Sequence, residues 1–97
     1  MSRIARIKSQ ITGEQVEALC KAWLPAGKRK GQWWMVCSPF RDERTPSFGV
    51  KLTPSYGFYD FGTAEHGDMI DLCCRLHGVQ LSDALEAFEQ MLGITDG

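Results

Sequence analysis

Apolar and polar residues alternate with different periods in different parts of the chain. Between residues 13 and 24 the apolar side chains recur every three or four positions, which predicts a helix with one buried face, and Thr12 is placed to cap its first turn. The centre has a period of two, because Phe48, Val50 and Leu52 are separated by small or polar residues. Three strands are therefore expected, over residues 32–37, 47–52 and 57–61.

The helical spacing returns in the last third of the chain. Gly67 and Asp68 indicate the start of a helix that ends at Gly78, and Ser82 is expected to cap a final helix. The final helix carries an inward stripe of Leu85, Phe88, Met91 and Leu92. These elements predict an α+β fold, a small antiparallel sheet of about three strands flanked by helices.

Length and charge refine this interpretation. Ninety-seven residues favour one domain with a small core, expected over residues 13–97, and the basic residues 1–12 are expected to form a flexible arm. Residues 1–51 carry a net charge of +6 and residues 52–97 a net charge of −7. The basic half is expected to attract polyanions. The alternative is that folding distributes the charges evenly over the surface.

The most specific motif is residues 38–48, Ser-Pro-Phe-Arg-Asp-Glu-Arg-Thr-Pro-Ser-Phe. This segment resembles the signature Cys-Pro-Phe-His-Asp-Glu-Lys-Thr-Pro-Ser-Phe of the zinc-binding domain of bacterial-type DNA primases. The residues around 57–63 and the pair Gly67-Asp68 resemble further elements of that domain, and the resemblance extends over about residues 14–93. It implies a zinc-ribbon-like fold in which Trp34 is buried and Trp33 lies nearer the surface.

The resemblance also implies that the zinc ligands are gone. The positions that correspond to the ligands hold Ser38, Arg41, Asp60 and Thr63. We therefore expect no metal and no other cofactor, and we hypothesise a salt bridge between Arg41 and Asp60 in place of the metal. A site improvised from Cys37, Asp60 and His66 is the alternative. The four cysteines lack the paired spacing of a zinc site and are interpreted as free thiols.

Basic residues interleaved with aromatic residues favour binding to a single nucleic-acid strand. The candidates for phosphate contacts are Lys28, Arg29, Lys30, Arg44 and Lys51, and those for base stacking are Trp33, Tyr56 and Tyr59. Solvated turns and packed rings are the competing interpretations. We assign four other aromatic residues to the core, namely Phe48, Phe58, Phe61 and Phe88.

We expect a cytoplasmic location, because the sequence shows no signal peptide and no long apolar run. The resemblance implies a non-enzymatic accessory domain, because primases carry synthesis in a separate domain. We expect it to bind single-stranded DNA, or RNA, during replication of a chromosome or mobile element. A polymerase, primase or helicase is the expected protein partner, and no membrane contact is expected. The alternative is a protein-interaction module without a DNA role, which would dock through Asp83, Glu86 and Glu89 on the last helix.

Overall fold

A computed structural model describes residues 2–42 and 44–94 of the chain. The helices are α1 (Arg3–Gln10), α2 (Gly13–Trp23), α3 (Met69–His77) and α4 (Leu81–Leu92). The strands are β1 (Lys28–Lys30), β2 (Trp33–Val36), β3 (Phe48–Lys51), β4 (Gly57–Asp60) and β5 (His66–Gly67). In the described part of the chain, no helix has the length and apolar character needed to cross a membrane.

The strands form one antiparallel sheet in the order β1-β2-β3-β4-β5, so each strand pairs with its neighbours in sequence. The α+β class is confirmed, and the three expected strands correspond to β2, β3 and β4. The sheet has five strands because two short edge strands extend it. The sequence pattern did not indicate them, since β1 has only three residues, all exposed and basic, and β5 has only two.

One face of the sheet packs against the helices and forms the core. Trp34 and Val36 of β2 point into it, as do Phe48 and Val50 of β3 and Phe58 of β4, all at most 6% exposed. The indole Nε1–H of Trp34 donates a hydrogen bond to the backbone oxygen of Leu24, 3.1 Å away. The predicted burial of Trp34 is therefore confirmed, and its one polar group is satisfied inside the protein.

The N-terminal segment is a helix rather than the expected flexible arm. Ser2 caps α1 by accepting a hydrogen bond from the Ala5 N–H, and Ile7 is only 1% exposed within the core. The guanidinium of Arg3 donates to both carboxylate oxygens of Glu89 on α4, at 3.0 and 2.6 Å. Glu89 therefore takes part in an internal contact. The docking alternative, which placed Glu89 on the exposed polar face of α4, is wrong for this residue. Its pKa is lowered by these hydrogen bonds from Arg3.

Most of the predicted helix ends are correct. Thr12 forms a capping box with Gln15, and Gly78 ends α3 in the left-handed conformation that glycine tolerates. The prediction for Ser82 is wrong, because α4 already begins at Leu81 and its N-cap is Gln80, which makes no side-chain cap hydrogen bond.

Folding brings the basic and acidic halves of the sequence together. Among the residues that the structure describes, three ion pairs join them, Arg3–Glu89 at 2.6 Å, Lys8–Asp68 at 3.1 Å and Arg41–Asp60 at 2.6 Å. The division of charge along the sequence is thus partly neutralised in space, as the alternative of evenly distributed charge anticipated. The basic residues that do not take part in such pairs matter most for a binding site.

Candidate nucleic-acid interface

The face of the sheet that points away from the helices carries basic and aromatic side chains. Residues directly opposite each other in an antiparallel pair project to the same side of a sheet. Trp33 lies opposite Lys30 on β1 and Lys51 on β3, and Tyr59 lies opposite Gly49 on β3 and His66 on β5. We call this surface the outer face and define it as Lys28, Lys30, Trp33, Met35, Gly49, Lys51, Tyr59, Phe61 and His66.

Four rings on the outer face touch one another in a row. Phe61 lies between Trp33, at 5.6 Å between ring centroids and an angle of 64°, and Tyr59, at 4.9 Å and 57°. The ring of His66 stacks on Tyr59 at 6.1 Å and 15°. We call these four residues the aromatic strip. It offers edges and faces of several rings to a ligand instead of one isolated ring.

Phe61 belongs to the aromatic strip and not to the core, so its predicted burial is wrong. It is 55% exposed, and its N–H donates to the backbone oxygen of Ser47 at 2.7 Å, which continues the strand pairing one residue beyond β4. Since strand side chains alternate, the inward direction of Asp60 turns Phe61 outward, beside Tyr59. The predictions for Phe48, Phe58 and Phe88 are confirmed, because each is at most 3% exposed.

A shallow groove of about 340 Å³ runs beside the aromatic strip. Trp33, Lys51, Tyr56, Tyr59 and His66 are among the residues that line it. A cationic side chain and several rings therefore border the same open space. This is the combination that a flexible strand of phosphates and bases requires.

The lysines of the outer face are available for a ligand. Within residues 2–42 and 44–94, no carboxylate lies within ion-pair distance of Lys28, Lys30 or Lys51. Lys28 and Lys30 are exposed on the edge strand β1. Their charge is therefore not neutralised by a neighbouring acid in the described part of the protein.

Three of the predicted site residues are not among the residues of the outer face. Arg29 points to the helix side of the sheet, where its guanidinium pairs with Glu17 of α2 at 2.9 Å. Arg44 is exposed in the connection between β2 and β3. Tyr56 lines the groove, but it is half-buried and packs against the core.

Two residues of the aromatic strip, Phe61 and His66, were missed as candidates for nucleic-acid contact. Phe61 could have been found from its spacing of two from Tyr59, the period of a strand. His66 gave no such signal, because it reaches the aromatic strip through the two-residue strand β5.

A second polar cluster lies at the end of β4. Asp60 is 3% exposed, and its carboxylate accepts two hydrogen bonds from Arg41, Nη1–Oδ2 at 2.6 Å and Nη2–Oδ1 at 3.0 Å. Its Oδ1 also accepts from the backbone N–H groups of Gly62, at 2.8 Å, and Thr63, at 3.3 Å. The hydrogen bond from Arg41 is the largest influence on the pKa of Asp60 and lowers it, although burial acts in the opposite direction. The hypothesis of an Arg41–Asp60 salt bridge is therefore confirmed.

Ser38 is buried but makes its contact within its own loop. Its Oγ accepts a hydrogen bond from the N–H of Phe40 at 3.2 Å. Of the four positions that the resemblance relates to zinc ligands, the observed hydrogen bonds join Arg41, Asp60 and Thr63.

With this geometry established, comparison with known proteins identifies the family. The profile described as CHC2 zinc finger matches residues 3–96. The chain belongs to the CHC2 zinc finger family. The match includes α1, which the sequence pattern alone had left outside the domain.

Relatives of this chain include DNA primases. The chain is 42% identical to the DNA primase of Chlamydia trachomatis over 58 residues, which is 60% of this chain and 10% of the primase. It is 31% identical to that of Pasteurella multocida over 67 residues, which is 69% of this chain and 11% of the primase. The chain thus spans about a tenth of the length of these relatives.

A solved structure shows the same fold. The Aquifex aeolicus primase, solved as its zinc-binding and RNA polymerase domains, superposes with a TM-score of 0.77 and 22% sequence identity. The superposition covers 96% of this chain and 22% of the primase chain. The resemblance to a primase zinc-binding domain is therefore confirmed for the fold.

The residues of this member of the CHC2 zinc finger family do not fit a zinc ion. In residues 2–42 and 44–94, no three His, Cys, Asp or Glu side chains are grouped so that they could hold a metal. The improvised site from Cys37, Asp60 and His66 is thereby excluded. Burial raises the pKa of the Cys20 thiol to about 12 and also raises the pKa of Cys73, as expected of thiols that pack in an apolar core.

Proposed function

We propose that this chain is a nucleic-acid-binding accessory domain that holds single-stranded DNA on its outer face. The role would belong to primase- or polymerase-linked replication, of a chromosome or a mobile element. Its named relatives are DNA primases, and the chain corresponds to about a tenth of their length. We therefore propose a role in template contact and not in synthesis.

The observation that carries the proposal is the shared groove of cations and rings. Lys51 and Trp33 face each other across β2 and β3 and both line it, together with Tyr59. Lysine side chains attract backbone phosphates by releasing condensed counterions, and rings stack on bases whatever their sequence. A stacked base contributes about 1–3 kcal/mol, so one base on Trp33 would add a measurable part of the affinity.

The same arrangement disfavours an intact duplex as the ligand. The bases of a duplex are paired and stacked inside it, so the aromatic strip could not stack on them without opening the helix. The unpaired state of the bases, and not their sequence, would then decide binding. We expect little sequence preference, because every base has a face that stacks.

The protein-interaction alternative is supported by α4. Its exposed side carries Asp83 and Glu86, and Leu81 and Met91 are 51% and 38% exposed. A polymerase, primase or helicase could dock there without any contact with the outer face. The two functions are therefore separable by mutation.

The decisive experiment compares two neutralising substitutions one residue apart. K30Q removes a charge from the outer face, whereas the matched control R29Q removes one from the helix side of the same strand. Affinity for a labelled single-stranded oligonucleotide would be measured by fluorescence anisotropy at several salt concentrations. We expect K30Q to reduce the slope of log affinity against log salt by about 0.7, the value for one phosphate contact with a single strand, and R29Q to leave it unchanged.

A second pair of variants tests the stacking contribution. W33A should weaken binding roughly 5- to 150-fold, the loss of one stacked base, whereas W33F should retain most of the affinity. Equal effects of K30Q and R29Q, or binding too weak to measure at low salt, would contradict the proposal. In that case, capture of a replication protein that is lost in a D83K/E86K variant would support the alternative.

A further inference from the structure

Two connections of the sheet meet at Asp60. One runs from β2 to β3 and contains Arg41, and the other follows β4 and contains Gly62 and Thr63. The Asp60 carboxylate organises the second connection by accepting the two backbone N–H groups, and it reaches the first through both nitrogens of the Arg41 fork. One buried side chain therefore joins two loops that are distant in sequence.

Arg41 adds a further link within its own connection. Its Nη2 lies 3.5 Å from the Oγ of Ser47, next to the start of β3. The Arg41 side chain is 28% exposed and that of Asp60 is 4% exposed. The pair is thus shielded from water far more than the Arg29–Glu17 pair, whose side chains are 60% and 24% exposed.

Aromatic packing supports the same corner of the molecule. Phe40 meets Phe48 edge to face at 5.8 Å, and Phe48 stacks on Phe58 at 5.4 Å with an angle of 13°. The guanidinium of Arg75 lies 5.4 Å from the centroid of the Phe58 ring. Apolar and cation–π contacts therefore accompany the ion pair, so the corner does not depend on charge alone.

The chemistry of this corner is incompatible with a cation at the position of the fork. A guanidinium is always protonated, offers no lone pair and repels a metal ion. Both oxygens of Asp60 are already engaged. We infer that the Arg41–Asp60 fork and its aromatic support replace the structural zinc ion after which the family is named, so that this chain folds and stays folded without metal.

The first test measures zinc and stability together. The full chain would be produced in zinc-supplemented medium, its metal content determined by inductively coupled plasma mass spectrometry, and its Tm measured with and without EDTA. We expect substoichiometric zinc and the same Tm in both conditions. Stoichiometric zinc, or a Tm that falls in EDTA, would overturn the inference.

The second test asks whether the fork performs the linking role. R41A should lower the Tm by on the order of 10 °C, because it leaves a buried carboxylate without its charge partner. The control R29A removes an exposed pair at the other edge of the sheet and should lower it by only a few degrees at most. If R41A does not lower the Tm more than R29A does, the fork is not the replacement for zinc.

Two further variants refine the test, and the first of them, R41K, keeps it informative even if R41A does not fold. R41K keeps the charge but not the two-nitrogen fork, so its Tm should lie below that of the unmodified chain and above that of R41A. The R41A/D60A double variant should lose less than the sum of the two single losses, because the partners contact each other. Additive losses, or an R41K variant as stable as the unmodified chain, would contradict the inference.

Discussion

Replacing Gly49 by alanine is expected to destabilise the protein, although glycine is ordinarily a poor residue for a strand. Gly49 lies in the middle of β3, between Met35 on β2 and Tyr59 on β4. A methyl group there would point to the outer face and lie 2.8 Å from Cε3 of Trp33, 2.9 Å from Sδ of Met35 and 3.3 Å from Cε2 of Phe61. The outer side chains therefore close over this strand because it has no side chain at position 49.

Two effects of opposite sign determine the size of the change. Without any clash, alanine would stabilise the strand by about 0.5–1 kcal/mol, since glycine loses more conformational freedom on folding. Crowding of a packed site costs about 1–3 kcal/mol, and two of the three distances are well below the normal separation of about 3.5–4.0 Å. Met35 can move its flexible end, but the Trp33 ring is held by Phe61. We therefore expect a net loss of about 1 kcal/mol in the free energy of unfolding.

The assay is urea unfolding followed by far-ultraviolet circular dichroism, because tryptophan fluorescence would itself respond to a displaced Trp33. The matched experiment repeats G49A in an M35A background, where one of the three contacts is absent and the loss should be smaller. A G49A variant that is more stable by the 0.5–1 kcal/mol expected of an uncrowded strand would refute the reasoning. An equal loss in both backgrounds would show that Met35 does not take part in the crowding.

Three further predictions concern the rest of the fold. Arg41 lowers the pKa of Asp60, so the pair contributes stability above the unfolded-state pKa of about 3.9, and this stability is lost as the pH falls through the lower, folded-state pKa. D60N should therefore weaken the dependence of the free energy of unfolding on pH between pH 7 and pH 2, and an unchanged profile would contradict this. I7A should cost about 2–5 kcal/mol in urea unfolding, because Ile7 is 1% exposed in the core, whereas a flexible arm would lose nothing. The Cys20 thiol, buried and with its pKa raised to about 12, should stay unmodified by a thiol reagent at pH 8 while half-buried Cys37 reacts, and equal rates would show that the core around Cys20 opens.

Elements whose signals lie within a few residues could be predicted from the sequence. The capping box of Thr12, the left-handed Gly78 and the alternation of Phe48 and Val50 are local, and each was found in the expected place. Helix α1 could not be predicted in the same way. Its basic residues suggested a solvated arm, whereas its stability depends on burial of Ile7 and on a contact with Glu89 at the other end of the chain.

The Arg41–Asp60 pair and the aromatic strip differ in how much of each could be predicted from the sequence. Arg41 and Asp60 were paired in advance because the resemblance to a zinc-binding domain places their positions side by side. Residue type then indicated an ion pair. Only part of the aromatic strip could be predicted, since an apolar residue such as Phe61 is expected in the core. Phe61 is exposed because its neighbour Asp60 points inward.

The basic run in β1 shows what tertiary structure alone decided. Once residues 28–30 pair with β2, the period of a strand turns Arg29 away from Lys28 and Lys30, and this follows from their order in the sequence. The sequence does not determine that this strand forms, nor which face of the sheet the helices cover, because the first depends on pairing with β2 and the second on which side of the whole sheet buries more apolar surface. The helices cover the side that carries Trp34, so Arg29 pairs with a helix while the two lysines remain beside the outer rings.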